Sequence, residues 1–455
     1  MKRGVMREWM VAAGSLLAAM ALAGCEGGTS MIAPEKPAVA TSAHGRVMGG
    51  QQPITGASIY LYAAGAGGYG GAATSLLTAS AGSQDGSGNW YVKTDSNGDW
   101  AITGDWSCPS SPSPSYLYVL ALGGNPGVAS ANPNIALLAA LGPCSGVSAS
   151  TYVTVNELTT VASVWALAPF MTGATNIGST ATNQVGLGDA FAAVTSVASI
   201  LTGTAPGPAL PAGATLPIAN VDTLANILSS CVNSTGGTAG DSSPCGNLFS
   251  ATTVNSVAPT NTVAAALNMA QHPAANISAL YALQPASPPF VPSLSSAPKD
   301  LTIAINYTGG GLNAPTSIAA DQQGNVWVTN SGSDAVSWLD HLGNSKLGTT
   351  GTLLGGVPQG IAVDLNGNAW VTASNNEMYE LNSSNGNLTG SPLTGFNEPT
   401  GIAIDPAGEI WVLNGGNNSV SAVNSSGAAL AGSPFSGSGI SAPAAIAING
   451  NANSN

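Results

Sequence analysis

The stretch Pro358-Gln-Gly-Ile-Ala-Val-Asp-Leu-Asn-Gly-Asn-Ala-Trp-Val371 recurs with few changes at residues 315–328 and 399–412. A fourth copy begins at Pro443 and shows only its first strand-like run. Each copy starts with an alternating run that is typical of a strand and continues with Asp-x-x-Gly, which is typical of a tight turn. A second short run with a tryptophan follows. The copies therefore predict a repeat of short antiparallel strands.

The spacing of the copies indicates the architecture that these strands would form. Asp321, Asp364 and Asp405 are separated by 43 and 41 residues, which fits the roughly 40 to 45 residues of one four-stranded propeller blade. One unit cannot bury its own apolar face, so the units must stack and the tryptophan is best placed between them. We expect structural roles for the repeat positions Asp321, Gly324, Trp327, Asp364, Gly367, Trp370, Asp405, Gly408 and Trp411.

The quoted phrase resembles that of the NHL-repeat family, and the resemblance covers residues 301–455. The first copy departs from the phrase at Ser317, where the others have glycine, and the third has Glu409 in place of asparagine. The resemblance implies a partial β-propeller of three units and the start of a fourth. It also implies a fold that is used mostly for binding protein, nucleic acid or small ligands, and occasionally as an enzyme.

The composition narrows the choice of partner. Charged residues make up 6% of the chain, against about 25% in ordinary globular proteins. The formal net charge is −13 with eight lysines and arginines in all, of which Lys2, Arg3 and Arg7 lie near the N-terminus. Because a nucleic acid partner needs clustered cations, the composition disfavours nucleic acid binding.

The N-terminus has the pattern of a bacterial secretory signal, because residues 1–24 combine a basic start with a short apolar run and small residues. Leu22-Ala-Gly-Cys25 resembles the lipobox of bacterial lipoproteins, which implies acyl chains (palmitate among them) on Cys25, a tether over residues 25–44 and attachment to a membrane. By the same resemblance, Glu26 favours the outer membrane, facing the periplasm or the exterior. A plain secreted protein and an N-terminal membrane helix are the alternatives.

Four further cysteines are present in a chain that the leader marks as exported, and this predicts two disulfides with three possible pairings. Proximity favours Cys108 with Cys144 and Cys231 with Cys245. A zinc site is the alternative, but the spacings are not those of Cys-x-x-Cys pairs.

Two further domains are predicted before the repeats. Residues 45–154 alternate apolar and polar positions between Gly and Pro turns, and they resemble the β-sandwich of carboxypeptidase regulatory-like and adhesin modules. Residues 155–284 change to a helical period, with Asn156 as a candidate N-cap, and predict a small α-helical domain. The proline-rich residues 285–300 predict a semi-rigid linker. The expected fold class is therefore multidomain and mainly β, with a partial propeller at the C-terminus.

Three motifs suggest a cofactor or metal but lack the context that such a site needs. Gly65-x-Gly-x-x-Gly70 matches a dinucleotide fingerprint, but another strand follows instead of a βαβ unit, so a hairpin loop is favoured. Asp95–Asp99 and Asp364–Asn368 suggest calcium loops, but neither has the bidentate glutamate of the EF-hand, so Asn-Gly turns are favoured. The sequence predicts no cofactor and no metal site.

His341 is the weak catalytic candidate. The other histidines are His44, in the tether, and His272, which precedes the helix-breaking Pro273. Some bacterial propellers of related shape are lyases that break a lactone with a rim histidine and a glutamate. His341 lies in a connection between blades and has no evident partner in the sequence, although four glutamates are present in the repeats: Glu377, Glu380, Glu398 and Glu409.

Together these features predict an exported, lipid-anchored cell-envelope protein that acts as a binding or scaffold module. The expected site is the propeller mouth, where loops of several blades converge on a protein or small-molecule ligand that the sequence does not identify. A propeller lyase or hydrolase is one alternative, and a purely structural surface protein is another.

The closure of the propeller allows two outcomes. Leu301–Asn306 could pair with Ile446–Ile448 and join the ends of the repeat segment. Otherwise Val420–Val423 and Ile446–Ile448 leave an open edge, whose unpaired backbone groups invite another chain. We expect the open edge, and with it self-association through the C-terminal region.

Overall fold

The computed structural model of the chain describes residues 42–104, 106–390 and 392–448, which all belong to one compact unit. The predicted leader, most of the predicted tether and the acylation candidate Cys25 lie outside the described residues. The chain is mainly β, with 30% of residues in strands and 18% in helices. This part of the expected fold class is confirmed.

The first part of the described chain forms ten strands: β1 (Ser42–Gly49), β2 (Gln52–Pro53), β3 (Ser58–Ala63), β4 (Thr74–Ser75), β5 (Ser83–Gln84), β6 (Trp90–Lys93), β7 (Asp99–Thr103), β8 (Tyr116–Leu122), β9 (Ala136–Pro143) and β10 (Tyr152–Val155). In β1 every second side chain is buried, as alternation predicts. A four-stranded sheet has the order β10-β1-β2, with β7 also on β1. A six-stranded sheet has the order β5-β6-β3-β8-β9, with β4 on β3.

Six α-helices follow: α1 (Glu157–Leu167), α2 (Gln184–Val197), α3 (Ile218–Val232), α4 (Pro244–Ala251), α5 (Thr262–Gln271) and α6 (Ile277–Tyr281). Two short strand pairs lie among and after them: β11 (Met171–Gly173) with β12 (Asn176–Ile177), and β13 (Ala214–Thr215) with β14 (Asn306–Tyr307). Asn156 caps α1, since its side-chain oxygen accepts from Thr159 N at 2.9 Å. Pro273 falls in the break between α5 and α6.

The central strands of the six-stranded sheet are buried on both faces. Leu61 of β3 belongs to a core that the sheet shares with the smaller sheet, including Trp100. The next residue, Tyr62, belongs to a second core that the sheet shares with the helices, including Leu158 and Phe191. The molecule therefore has three layers here, namely a small sheet, a larger sheet and a helical layer.

This arrangement differs from the predicted layout, in which residues 45–154 and 155–284 form separate domains. The helices complete the core of the sheet, so the two segments form one body. The physical reason is visible in the strands themselves, because β3, β8 and β9 are almost continuously apolar. A strand of that kind is buried on both faces rather than one.

The proline-rich residues 285–300 also differ from the predicted spacer, because they pack on α3. The Asn226 side chain donates to Phe290 O at 2.9 Å and accepts from Phe290 N at 3.0 Å. Thr223 Oγ1 accepts from Leu294 N at 2.9 Å. These bonds fix the segment against the helical layer.

The repeats form three antiparallel sheets, which we call blades 1, 2 and 3. Blade 1 consists of β15 (Pro315–Ala320), β16 (Val326–Asn330), β17 (Ala335–Leu339) and β18 (Thr352–Leu353). Blade 2 consists of β19 (Pro358–Val363), β20 (Ala369–Ala373) and β21 (Glu377–Leu381). Blade 3 consists of β22 (Pro399–Ile404), β23 (Ile410–Asn414), β24 (Ser419–Val423) and β25 (Phe435–Ser436). Among the described residues of blade 2, the position of a fourth strand is marked by a single antiparallel bridge between Met378 and Leu393.

The repeated aspartate organises the turn between the first two strands of each blade. Asp364 Oδ1 accepts from Asn366 N at 2.8 Å and from Asn368 N at 3.0 Å, and Gly367 takes a φ of +83°. Asp321 and Asp405 accept the corresponding amides in their own turns. The carboxylates thus act as turn caps, for which Asp is suited because its short side chain reaches the backbone two residues on.

The repeated tryptophan packs between blades. Trp327 of blade 1 is 0% exposed and shares a core with Ile361 and Val371 of blade 2. Trp370 of blade 2 packs in the same way against the residues of blade 3. Trp411 of blade 3 is only half-buried and stacks on Phe435, with ring centroids 5.8 Å apart.

The closing pair that the sequence allows is not formed. Asn306 pairs in β14 with Thr215 instead of with residues 446–448. Residues 443–448 run beside β22 without forming a strand, and Thr400 Oγ1 donates to Pro443 O at 3.2 Å. The expected open edge at Val420–Val423 is partly covered, because Val420 pairs with Phe435 of β25. Self-association through the C-terminal region stays a prediction.

Replacing tryptophan by alanine tests the blade packing. We expect Trp327→Ala to lower the free energy of unfolding by about 3 to 5 kcal/mol, because it empties a closed space between two blades. Trp411→Ala is the matched control. It should lower the free energy of unfolding by less than half as much, because this ring is already partly exposed to solvent. Urea denaturation measures both. Equal losses would contradict the different packing of the two rings.

Candidate functional site

Blade 1 has an apolar face that points away from blade 2. Trp327 points toward blade 2, and its strand neighbours Val326 and Val328 therefore point to the opposite face. Ile318 pairs with Val328 and lies on the same face, where it is 68% exposed. An aliphatic side chain so exposed, beside two valines, marks an uncovered apolar surface.

The segment before blade 1 returns over this face and leaves a cleft of about 400 Å³. The apolar walls come from Ile305, Leu312, Ile318 and Val328, together with Tyr307. Asp340 and His341 contribute polar groups. We call this space the blade 1 cleft. Its size and its mixture of apolar walls with few polar groups are typical of small-molecule sites.

The polar end of the blade 1 cleft is an ion pair between distant parts of the chain. His341 Nδ1 lies 3.7 Å from Asp189 Oδ1 of α2. Burial raises the pKa of Asp189, His341 counteracts this rise, and the nearby Asp321 adds to it. Burial is the largest of these effects, because α2 and blade 1 cover the carboxyl together.

Gly324 makes the close approach of blade 1 to α2 possible. A Cβ at this position would lie 2.1 Å from Asp189 Oδ2, and the backbone has a φ of +77°. Both facts require glycine. The repeat position that was expected to serve only the turn therefore also seats the blade on the helical layer.

One turn and the neighbouring strand β14 fix the other walls of the cleft. Asp340 Oδ1 accepts from Leu342 N at 3.0 Å and from Asn344 N at 2.8 Å. A Cβ on Gly343 would lie 2.1 Å from the Tyr307 ring, so strand and turn are in tight contact. Burial, and then the charge of Asp340, raise the pKa of Tyr307, which keeps its hydroxyl neutral.

The structure does not bring His341 together with any of the four candidate glutamates within the described part of the chain. Glu377 accepts from the Tyr379 hydroxyl, and Glu380 accepts from Asn368 at 3.1 Å. Glu398 and Glu409 bond through their backbone amides to Asn376 and Asp405. The partner of His341 is Asp189, which sequence reasoning missed because it lies on a helix about 150 residues earlier.

The glycine-rich loop Gly65–Gly70, which matches a dinucleotide fingerprint, has a structural role. In the Gly65–Gly70 loop, Gly65 N donates to Ile177 O at 2.8 Å, and Tyr69 stacks on Phe170 with centroids 5.7 Å apart. The glycines permit this contact, because a Cβ on Gly70 would lie 2.3 Å from Thr172. The loop is thus a packed connection between sheet and helices.

Both predicted disulfides are present. Cys108 is bonded to Cys144 and Cys231 to Cys245, which is the pairing that proximity favours. The second disulfide joins α3 to α4. All four thiols are therefore used in covalent bonds.

A family model of the NHL repeat matches residues 396–422, which contain the third copy of the phrase. This match supports a propeller-like repeat in the C-terminal segment, in agreement with the three blades. A comparison with curated proteins finds no match.

Several solved structures are similar to part of the chain. Virginiamycin B lyase from Staphylococcus aureus is 17% identical, with 33% of this chain and 50% of that chain covered and a TM-score of 0.29. Hydrazine synthase of Kuenenia stuttgartiensis is 14% identical, with 31% and 40% covered and a TM-score of 0.26. A nidogen/laminin complex is 22% identical, with 30% and 54% covered and a TM-score of 0.26.

The chain spans about half the length of these solved structures. At these TM-scores, none of the three supports an argument about the fold or the activity of this protein. The description of the blade 1 cleft therefore rests on the residues that form it.

Substituting His341 tests the contact between blade 1 and α2. We expect His341→Gln to lower the free energy of unfolding by at most about 1 kcal/mol near pH 6, because the pair is partly exposed and solvent screens it. Urea denaturation in roughly 1 M sodium chloride should remove the difference, since salt screens exposed pairs. Asp189→Asn is the matched variant and should show the same small, salt-sensitive loss of unfolding free energy. A loss that salt does not change would contradict an ion pair.

Proposed function

We propose that this protein is an exported, lipid-anchored cell-envelope protein that binds a small, uncharged, apolar ligand in the blade 1 cleft. The observation behind this proposal is the cleft itself, a space of about 400 Å³ with aliphatic walls. Binding there transfers apolar ligand surface out of water, which is favourable in proportion to the area buried. The propeller segment then acts as a binding module.

The charges favour a neutral ligand over an ionic one. Among the described residues that line the blade 1 cleft, none is lysine or arginine. The chain as a whole has a formal net charge of −13, which repels anions. His341 Nδ1 lies 3.7 Å from Asp189 Oδ1 at the cleft end, so an anionic ligand would meet a carboxylate beside the histidine.

Export is supported by the covalent structure. Two disulfides persist in oxidising compartments and are rare in the bacterial cytosol. Within the described residues, no helix is long and apolar enough to cross a membrane. The lipobox resemblance at Leu22–Cys25 supports an acyl anchor at Cys25, with Glu26 favouring the outer membrane.

A neutral fluorescent probe tests the blade 1 cleft. N-phenyl-1-naphthylamine should bind the purified full-length chain, and Ile318→Thr should weaken its binding about fivefold, because roughly 1 kcal/mol of apolar contact is lost. Leu365→Thr is the matched control, since Leu365 is 67% exposed, against 68% for Ile318, and lies outside the cleft. Equal weakening by both substitutions, or no effect of Ile318→Thr, would refute the assignment.

Acylation is tested by substitution of the lipobox cysteine. We expect Cys25→Ala to abolish incorporation of a palmitate analogue in cells, because the acyl chains are added to that residue. Fractionation should move the variant out of the membrane pellet. Labelling of the variant at the level of the wild type would show that Cys25 is not the anchor.

A further inference from the structure

A second cavity, of about 260 Å³, lies outside the blades. It is bounded by the end of β1, the start of α1, the loop after α2 and the proline-rich segment, and its walls include Gly50, Asn156 and Phe290. Asp222 of α3 also lines it. We call this space the Asp222 cavity. Its described lining residues include no lysine, arginine or histidine.

Asp222 lines this cavity without a protein partner among the described residues. The residue is 4% exposed, yet no described residue forms a hydrogen bond or an ion pair with its side chain. Its neighbours on α3 behave differently, because Asn226 bonds to Phe290 and Thr223 bonds to Leu294. A carboxylate that faces a cavity and has no protein partner is available to a ligand, since buried polar groups are normally hydrogen-bonded.

The other polar groups of the walls are already engaged. Thr202 and Thr204 share a hydrogen bond of 2.7 Å, and Asn156 Nδ2 donates to Gly203 O at 2.9 Å. Thr154 Oγ1 donates to Leu201 O at 2.9 Å. These bonds tie the loop after α2 to the start of α1 and leave Asp222 as the uncompensated charge.

Burial raises the pKa of Asp222 to about 6, because partial removal from water disfavours the ionised form. The buried Glu157 differs, because both of its oxygens accept from Gly50 N, at 3.0 and 2.9 Å. Only Asp222 therefore offers a charge to a ligand in this cavity.

We propose that the Asp222 cavity binds a small organic ammonium ion, whose charged head pairs with Asp222 and whose apolar body lies against Leu158, Phe290 and Val291. A cation converts a costly buried charge into a paired one, which a neutral hydroxyl does not do. The net charge of −13 also favours the approach of cations.

A metal ion fits this cavity less well than an organic cation does. Calcium takes six to eight oxygen ligands, and the described residues contain no group of three or more His, Cys, Asp or Glu side chains that could hold a metal. Much of the wall is aliphatic or aromatic, which suits the carbon skeleton of an amine.

The first test compares two probes of the same size by titration calorimetry on the full-length chain in detergent. Phenethylammonium has the charged head, and 2-phenylethanol replaces it with a hydroxyl. We expect phenethylammonium to bind roughly tenfold tighter at about pH 7.5, because charge-assisted hydrogen bonds are stronger than neutral ones. Equal binding of the two probes, or no binding of phenethylammonium, would overturn the proposal.

The second test removes the charge. Asp222→Asn should weaken phenethylammonium binding about tenfold, to the level of the alcohol. Asp334→Asn is the matched control, because Asp334 is exposed on a blade 1 turn, and Asn tolerates its φ of +50°. Unchanged affinity in Asp222→Asn would overturn the proposal, and so would displacement of the probe by calcium chloride.

Thermal unfolding shows whether Asp222→Asn is folded. Because the pKa of Asp222 is raised in the folded state, its ionisation destabilises the fold fully above about pH 6. This destabilisation shrinks as the pH falls below that value and is lost only below the ordinary carboxyl pKa of about 4. The ligand-free variant should therefore unfold at a higher temperature than the wild type at about pH 7.5, with a smaller difference near pH 5.

A second variant keeps the test valid if Asp222→Asn does not fold. Val291 is 72% exposed and lines the cavity, so Val291→Trp should narrow the cavity without loss of core packing. We expect it to abolish binding of both probes. Wild-type affinity of Val291→Trp for phenethylammonium would place the binding site elsewhere.

Discussion

The burial of one sheet on both faces is the constraint on which the other parts of this molecule depend. Strands β3, β8 and β9 have apolar side chains on both sides, so one layer of cover is not enough. The small sheet covers one face and the helices cover the other. The helical layer also holds the chain just before the repeats begin, because Trp165 Nε1 donates to Leu301 O at 3.0 Å.

The blade 1 cleft is a consequence of this attachment. In a stack of blades, each apolar face is covered by the next unit, as Trp327 and Trp370 show. The outer face of blade 1 has a different neighbour, the segment around Tyr307, which β13 holds in place. That segment is irregular and covers the face incompletely, which leaves Ile318 exposed. A repeat that joins a non-repeat layer thus creates a concave apolar surface that two identical blades would close.

The parts of the structure that could be predicted from the sequence are those that depend on near neighbours in the chain. The Asp364 turn, the returning strand with Trp370 and the Asn156 cap each involve residues within a few positions of one another. The pairing of Cys231 with Cys245 is also local. The layout of the first 300 residues was less predictable, because alternation indicates a strand but does not identify what covers its second face.

Asp189 and Asp222, the acids of the two candidate sites, could not be assigned from the sequence because their surroundings come from distant parts of the chain. Each nevertheless interrupts an apolar pattern in the sequence. Asp222 lies next to Val221 in the apolar stripe of α3, and Asp189 lies within the apolar pattern of α2. In a chain with 6% charged residues, a charge inside such a stripe is costly unless something compensates it. Asp189 is compensated by His341, which tertiary contact alone reveals. Asp222 has no compensating group among the described residues, and this difference distinguishes a contact between layers from a cavity that selects a cation.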